Sequence, residues 1–193
     1  VFEGEEVFHG ANFHGQPVAF AMDFTTIALT QLGVQSERRT NRLLNRHLSG
    51  LPEFLVAQDP GLNSGFAGLQ YPATALVAEN RTIAPASTQS VPSNGDNQDV
   101  VSMGLVSARN ARRVCANNEY ILAVEAIAAA QAADLAGAVP RLGPAGRAAY
   151  ETIRTWCAPS TVDRYLADDL ERVASGLRDG RLGAAVLAEV GAA

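Results

Sequence analysis

Residues 121–136 read ILAVEAIAAAQAADLA, and the fold class turns on what can surround them. Apolar side chains run nearly all round this stretch, with Glu125, Gln131 and Asp134 as the interruptions. A helix of that composition has no polar face to give to water, so it must be buried on several sides. A bilayer is one way to bury it, but crossing about 30 Å takes a window of roughly 20 residues. Such a window takes in those polar residues and the preceding Asn117-Asn118-Glu119, so no membrane span is expected. What remains is the centre of a helical bundle, where alanine lets neighbouring helices approach closely. A chain of 193 residues has few helices to spare for wrapping it, so partner helices from elsewhere are expected, from other copies or from a missing half.

Working outward, the helix containing this stretch is expected to start near Asp99, whose carboxylate can accept orphan N–H groups, and to meet no proline until Pro140. Another long amphipathic helix is predicted from about Gln16, with Pro17 in its first turn and Val18, Met22, Leu29 and Leu32 at helical spacing. Residues 1–15 suit a short strand or a loop. The stretch LSGLPEFLVAQDPGLNSG (48–65) reads as a loop packed by its own Phe54, Leu55 and Val56, and a helix from about Asn63 to Ile83 follows. Beyond Gly143, helices are expected at 144–157 and 163–177, the second with Ser160-Thr161-Val162-Asp163 as a capping box, and a last one after Gly183. The expected organisation is all-α, with 1–137 as a bundle segment and 138–193 as a helical appendage. The apolar start at Val1-Phe2 reads as a cut inside a longer protein.

Composition narrows the function. A hydrophobic content of 47% indicates a globular chain, and a net charge of −5 gives no electrostatic reason to approach nucleic acid. Cys115 and Cys157 lie far apart, outside any CxxC pair, which suits a reducing, cytoplasmic setting. His9, His14 and His47 share no ligand spacing with cysteine or carboxylate, so no metal site is expected. Asn80-Arg81-Thr82 matches a glycosylation sequon but falls in a predicted helix, and GLRDGRLG (176–183) lacks the lysine of a phosphate loop and reads as a helix end.

The unusual chemistry lies in SVPSNGDNQDVVSMG (90–104), with Asn94, Asn97 and Gln98, and in Asn12 and Gln16 beside Phe13. Amides hydrogen-bond in both directions without titrating, so they can line a pocket for a zwitterionic or carboxylate-bearing small molecule. The same residues would equally serve as turn and cap groups around a helix start.

This segment, together with GANFHGQPVAFAMDF (10–24), SERRTNRLLNRHLSGLPEFL (36–55) and GLNSGFAGLQYPATALVAEN (61–80), resembles the C-terminal part of the aromatic amino acid ammonia-lyase and aminomutase family. That family includes histidine and phenylalanine ammonia-lyases. The resemblance runs in order to about Leu135 and more loosely to the end, and NGDNQD is most similar to the wording in tyrosine 2,3-aminomutases of bacterial enediyne biosynthesis.

The resemblance implies an all-helical, homotetrameric enzyme acting on an aromatic amino acid, with active sites shared between subunits. It also implies the electrophile 4-methylideneimidazole-5-one (MIO), formed from an internal Ala-Ser-Gly. Ala174-Ser175-Gly176 has that wording but is read as a decoy, because it ends a predicted helix and continues Leu-Arg-Asp where the family continues Asp-Leu-Ala. The MIO triplet and the basic tyrosine are therefore expected in an N-terminal portion that this chain does not contain. By position, Gln98 and Asn97 take the catalytic roles near the electrophile. Phe13, Asn94 and Tyr71 take the substrate-binding roles, with Tyr71 against the substrate phenol. The implied reaction turns tyrosine into β-tyrosine through 4-hydroxycinnamate. An ammonia-lyase that releases that product and a catalytically silent assembly module are the alternatives.

Overall fold

The computed structural model describes residues 2–191 apart from Glu5 and Ala11, with the side chains of Phe2 and Glu3 undescribed; the apolar start at Val1 lies outside this range. Among the described residues there are seven α-helices and one small antiparallel hairpin. The hairpin joins β1 (Phe2–Glu3) to β2 (Glu6–Val7), with Gly4 at a φ of 68° opening its turn. The long helices are α1 (Gln16–Leu44) and α4 (Gly104–Leu135). Between them lie α2 (Arg46–Ser49) and α3 (Ala67–Arg81), and after them α5 (Pro144–Trp156), α6 (Ala167–Arg178) and α7 (Arg181–Val190). The chain divides into two compact units, residues 1–28 with 83–113 and residues 29–82 with 114–193.

In the first unit, the start of α1 lies against the segment that leads into α4. A Cβ on Gly104 would stand 3.8 Å from the Gly15 carbonyl and 3.9 Å from the Ala19 methyl, and Ala19 is fully buried. Outward, α1 carries exposed Val18, Phe20, Phe24 and Ile27. Among the described residues α1 is the helix that is long and apolar enough to cross a membrane; the stretch 121–136, where the sequence raised the question, is not such a helix.

The second unit holds the main core. The decisive stretch behaves as its composition demands, since Ile121, Ala123, Val124, Ile127, Ala128, Ala130, Gln131 and Ala132 are all buried. It shares a core with Leu44 of α1, Leu69, Ala73 and Val77 of α3, and Val173 and Ala174 of α6, so helices of this chain bury that side, while Ala129 and Ala136 stay exposed and Leu122, Ala126 and Ala133 half-buried. Each fully buried isoleucine or leucine there contributes roughly 1.5–3 kcal/mol. The polar interruptions are all paired. Glu125 accepts the Ser36 hydroxyl at 2.6 Å and an Arg39 N–H at 2.8 Å. Gln131 donates to the Ser160 carbonyl at 2.7 Å and accepts its N–H at 3.1 Å, and Asp134 accepts from Arg154 and Tyr150. Gly33 lets α1 approach α4, because a Cβ there would meet Asn118 Oδ1 at 2.5 Å.

Several expected boundaries move, most because a side chain is used elsewhere. Helix α4 starts at Gly104 and not near Asp99: the Asp99 carboxylate accepts its neighbour's N–H (Val100, 2.8 Å), and Met103, at a φ of 55°, sits before the first turn. Helix α3 starts at Ala67, since Asn63, Ser64 and Gly65 are held in a loop by Asp163. For the same reason Ser160–Asp163 is no capping box, and α6 starts at Ala167 without a side-chain cap. Helix α7 begins at Arg181, ahead of Gly183, once Gly180 in the left-handed region has closed α6. In the 48–65 loop Leu55 and Val56 are buried whereas Phe54 is exposed, so only the first two pack it.

Candidate active site

The amide segment is a hairpin turn. Ser93 N–H donates to the Gln98 carbonyl at 3.1 Å, Gln98 N–H returns to Ser93 at 3.2 Å, and Asn97 N–H donates to Asn94 at 3.2 Å. Asn94, Gly95 and Asp96 all have positive φ (56°, 60° and 65°), which glycine, asparagine and aspartate tolerate best. The backbone thus satisfies itself. Among the described residues the Asn94, Asn97 and Gln98 side chains have no hydrogen-bond partner, and all three are exposed. They form the turn that composition allowed, through their main chain, and do not cap α4.

Phe13 is fully exposed, on a segment tied directly to the one that follows the turn. His14 Nδ1 accepts the Gln16 N–H at 3.2 Å, which leaves Nε2 as the protonated nitrogen donating to the Val100 carbonyl at 3.1 Å. Gln16 Nε2 donates to the Ser87 carbonyl at 2.9 Å, so this amide is structural. Beneath it the buried Asp23 carboxylate accepts the Ser87 N–H at 2.8 Å. Burial alone would raise the Asp23 pKa. Hydrogen bonding from Ser87 outweighs it and holds the carboxyl below its ordinary value. The ties through His14 and Asp23 were not visible in the sequence; adjacency to Phe13 is the only signal for His14, and none marks Asp23.

Tyr71 belongs to the other unit, where it stands 74% exposed on α3, just before Pro72. Asn80 of the sequon is buried and bonded to Asn117 and Asn118, so it presents no acceptor to a glycosylating enzyme. Cys115 and Cys157 are both free. Among the described residues no cluster of His, Cys, Asp and Glu could hold a metal.

Ala174-Ser175-Gly176 does not fit the formation of MIO. It lies inside α6 with Ala174 fully buried, the Ser175 hydroxyl bonds Asp179 at 3.1 Å, and Trp156 packs where a Cβ on Gly176 would be. Gly176 is therefore a packing glycine in regular helix, not part of a loop free to cyclise.

The family model for aromatic amino acid lyases matches residues 1–155, and the chain, with its helical core, belongs to that family. More particularly, it is 70% identical over 189 residues to the MIO-dependent tyrosine 2,3-aminomutase of Streptomyces globisporus, covering 97% of this chain and 35% of that protein. It is 65% identical over 183 residues to the tyrosine ammonia-lyase of Cupriavidus metallidurans, covering 94% of this chain and 34% of the relative. The crystal structure of the Streptomyces globisporus tyrosine aminomutase superimposes with a TM-score of 0.93, at 70% identity, over 98% of this chain and 36% of that one. The chain thus spans about a third of the length of the relatives it matches.

Proposed function

We propose that this chain is the C-terminal portion of a tyrosine 2,3-aminomutase that converts L-tyrosine, or a ring-modified tyrosine, to β-tyrosine through 4-hydroxycinnamate, in the cytoplasm and in enediyne biosynthesis. In this reading the enzyme is a homotetramer, residues 1–137 belong to its central bundle and 138–193 form an appendage. The MIO and the basic tyrosine come from the N-terminal portion. The likeness to two tyrosine-handling relatives supports the substrate class.

The observation that carries the reading is the turn at 93–98, whose amides are exposed and unbonded beside the Phe13 segment. Side chains held by a self-sufficient backbone are preorganised to bind something else. MIO, when present, supplies the electrophile that turns the amino group into a leaving group. Gln98 and Asn97 would then lie close to the electrophile, Asn94 near the substrate amine, Phe13 beside the MIO and the substrate, and Tyr71 against the phenol. None of these amides transfers a proton, so their task is orientation.

The test is product analysis with the full-length enzyme. L-tyrosine giving β-tyrosine supports the mutase; 4-hydroxycinnamate alone makes it an ammonia-lyase. Substituting Gln98→Ala or Phe13→Ala should lower kcat about 100-fold. Full activity in both variants would reduce this chain to an assembly module.

A further inference from the structure

The proposed phenol contact sits on a helix whose first turn is weakly held by the helix itself. No side chain caps α3, and Pro72, the residue after Tyr71, has no N–H for the Gly68 carbonyl. Buried Phe66 and Leu69, and the Gln70 amide donating to Glu37 at 3.0 Å and Asn41 at 3.1 Å, seat the turn in the core, while the loop that leads into it is fixed from the far end of the chain. Asp163 lies beyond residue 155, where the family match ends, and its two carboxylate oxygens accept the N–H groups of Ser64 at 2.7 Å and Gly65 at 2.8 Å. The Asp163 N–H donates in return to Asn63 Oδ1 at 2.9 Å. Gly65 has no slack: its φ is 56°, and a Cβ there would meet the Phe54 carbonyl at 2.5 Å. Phe66 N–H donates to that same carbonyl at 2.9 Å, one residue before α3 begins. The segment carrying Asp163 is itself clamped to α4 by the reciprocal pair of bonds between the buried Gln131 and Ser160.

These contacts form one continuous strut from the core of α4 through Ser160 and Asp163 to the loop before α3, and so to Tyr71. We propose that Asp163 is a positioning residue for the aromatic-ring end of the active site: by fixing the loop at 63–66 it sets the place of Tyr71, and with it the preference for a phenol over an unsubstituted ring. The inference rests on the reading of Tyr71 as the phenol contact, and it assigns to the appendage a part in substrate selection. A carboxylate taking two adjacent N–H groups defines a direction as well as a distance, which an amide or a single acceptor does not reproduce.

The experiment uses the full-length enzyme with D163A, D163N, Y71F and D163A/Y71F, measuring KM and kcat for L-tyrosine and the competitive Ki of L-phenylalanine. Hydrogen exchange over residues 58–70 is followed in parallel. The expected result is a rise in tyrosine KM of about tenfold in D163A and a smaller rise in D163N, with kcat and the phenylalanine Ki changed less than about threefold. Y71F should show the same selective loss, the double variant should be no worse than Y71F, and exchange at Ser64 and Gly65 should quicken. If Y71F shifts the preference and neither Asp163 variant does, or if tyrosine and phenylalanine suffer equally, the strut is only structural and the proposal falls. If Y71F leaves the preference unchanged, the reading of Tyr71 fails and takes this proposal with it. D163N keeps one acceptor oxygen and supplies the measurement should D163A not fold.

Discussion

Gly33→Ala puts the packing of α1 on α4 to a quantitative test. Position 33 is inside a helix, so in an open setting alanine would stabilise it by about 1 kcal/mol. Here the added Cβ would stand 2.5 Å from Asn118 Oδ1, well inside contact distance. Asn118 is 2% exposed, and its amide donates to the Leu29 carbonyl at 2.6 Å and accepts from Asn80 at 3.2 Å. Moving it aside strands at least one buried polar group, at about 1–3 kcal/mol for each. With both bonds lost and the propensity gain subtracted, Gly33→Ala should destabilise by about 1–5 kcal/mol. The assay is denaturant unfolding followed by far-UV circular dichroism, in wild type and in an Asn118→Ala background. In that background the Asn118 obstacle is gone and only the Ile121 methyl at 3.3 Å remains, so the same substitution should cost at least about 1 kcal/mol less than in the wild type. Equal destabilisation in both backgrounds, or stabilisation in the wild type, would refute the assignment of Gly33 to the Asn118 contact.

Other outcomes follow from the same geometry. Gly176→Ala would drive a methyl into the Trp156 ring and should cost about 1–3 kcal/mol; because Trp156 is the sole tryptophan, a shift in its fluorescence reports the displacement directly. Asp23→Asn should lower stability by about 1 kcal/mol at neutral pH, where hydrogen bonds to the charged carboxylate are lost. The folded-state pKa of Asp23 lies below its ordinary value, so its contribution is present above the unfolded value of roughly 3.9 and is lost as pH falls through the folded one. The gap between variant and wild type should therefore close below about pH 4 in thermal melts. Gln131→Ala breaks both bonds to Ser160 and should destabilise by about 1–3 kcal/mol, with faster hydrogen exchange at 158–166.

The helices were legible where composition or period left no alternative. The stretch 121–136 had to be buried on several sides, and its core-facing half is, with a paired partner for Glu125, Gln131 and Asp134, while Ala129 and Ala136 stay exposed. Helix starts were legible where a proline marks the first turn, at Gln16 and Pro144, but not where the start depends on which polar side chain caps it. Asp99 and Asp163 both carry a good capping group, yet one bonds its neighbour and the other reaches a loop far away in sequence. Such long-range bonds leave no mark in local spacing. The role of His14 was hidden for the same reason, since nothing near it in sequence announces the Val100 carbonyl it meets.

The amide turn shows why composition alone left its role open and what resolves part of it. A run rich in asparagine and glycine forms turns whether or not it binds anything, because asparagine tolerates positive φ and bonds its own backbone. The distinguishing fact is which atoms make the bonds. Here Ser93, Asn94, Asn97 and Gln98 join through main-chain groups, and the amide side chains take no share in holding the turn. Replacing Asn97 or Gln98 with alanine should therefore leave the fold within about 0.5 kcal/mol of wild type, as for an ordinary exposed position. A fall in kcat without a fall in stability in these variants separates a binding role from a structural one; a melting temperature that drops together with activity would mean that the side chains hold the turn after all.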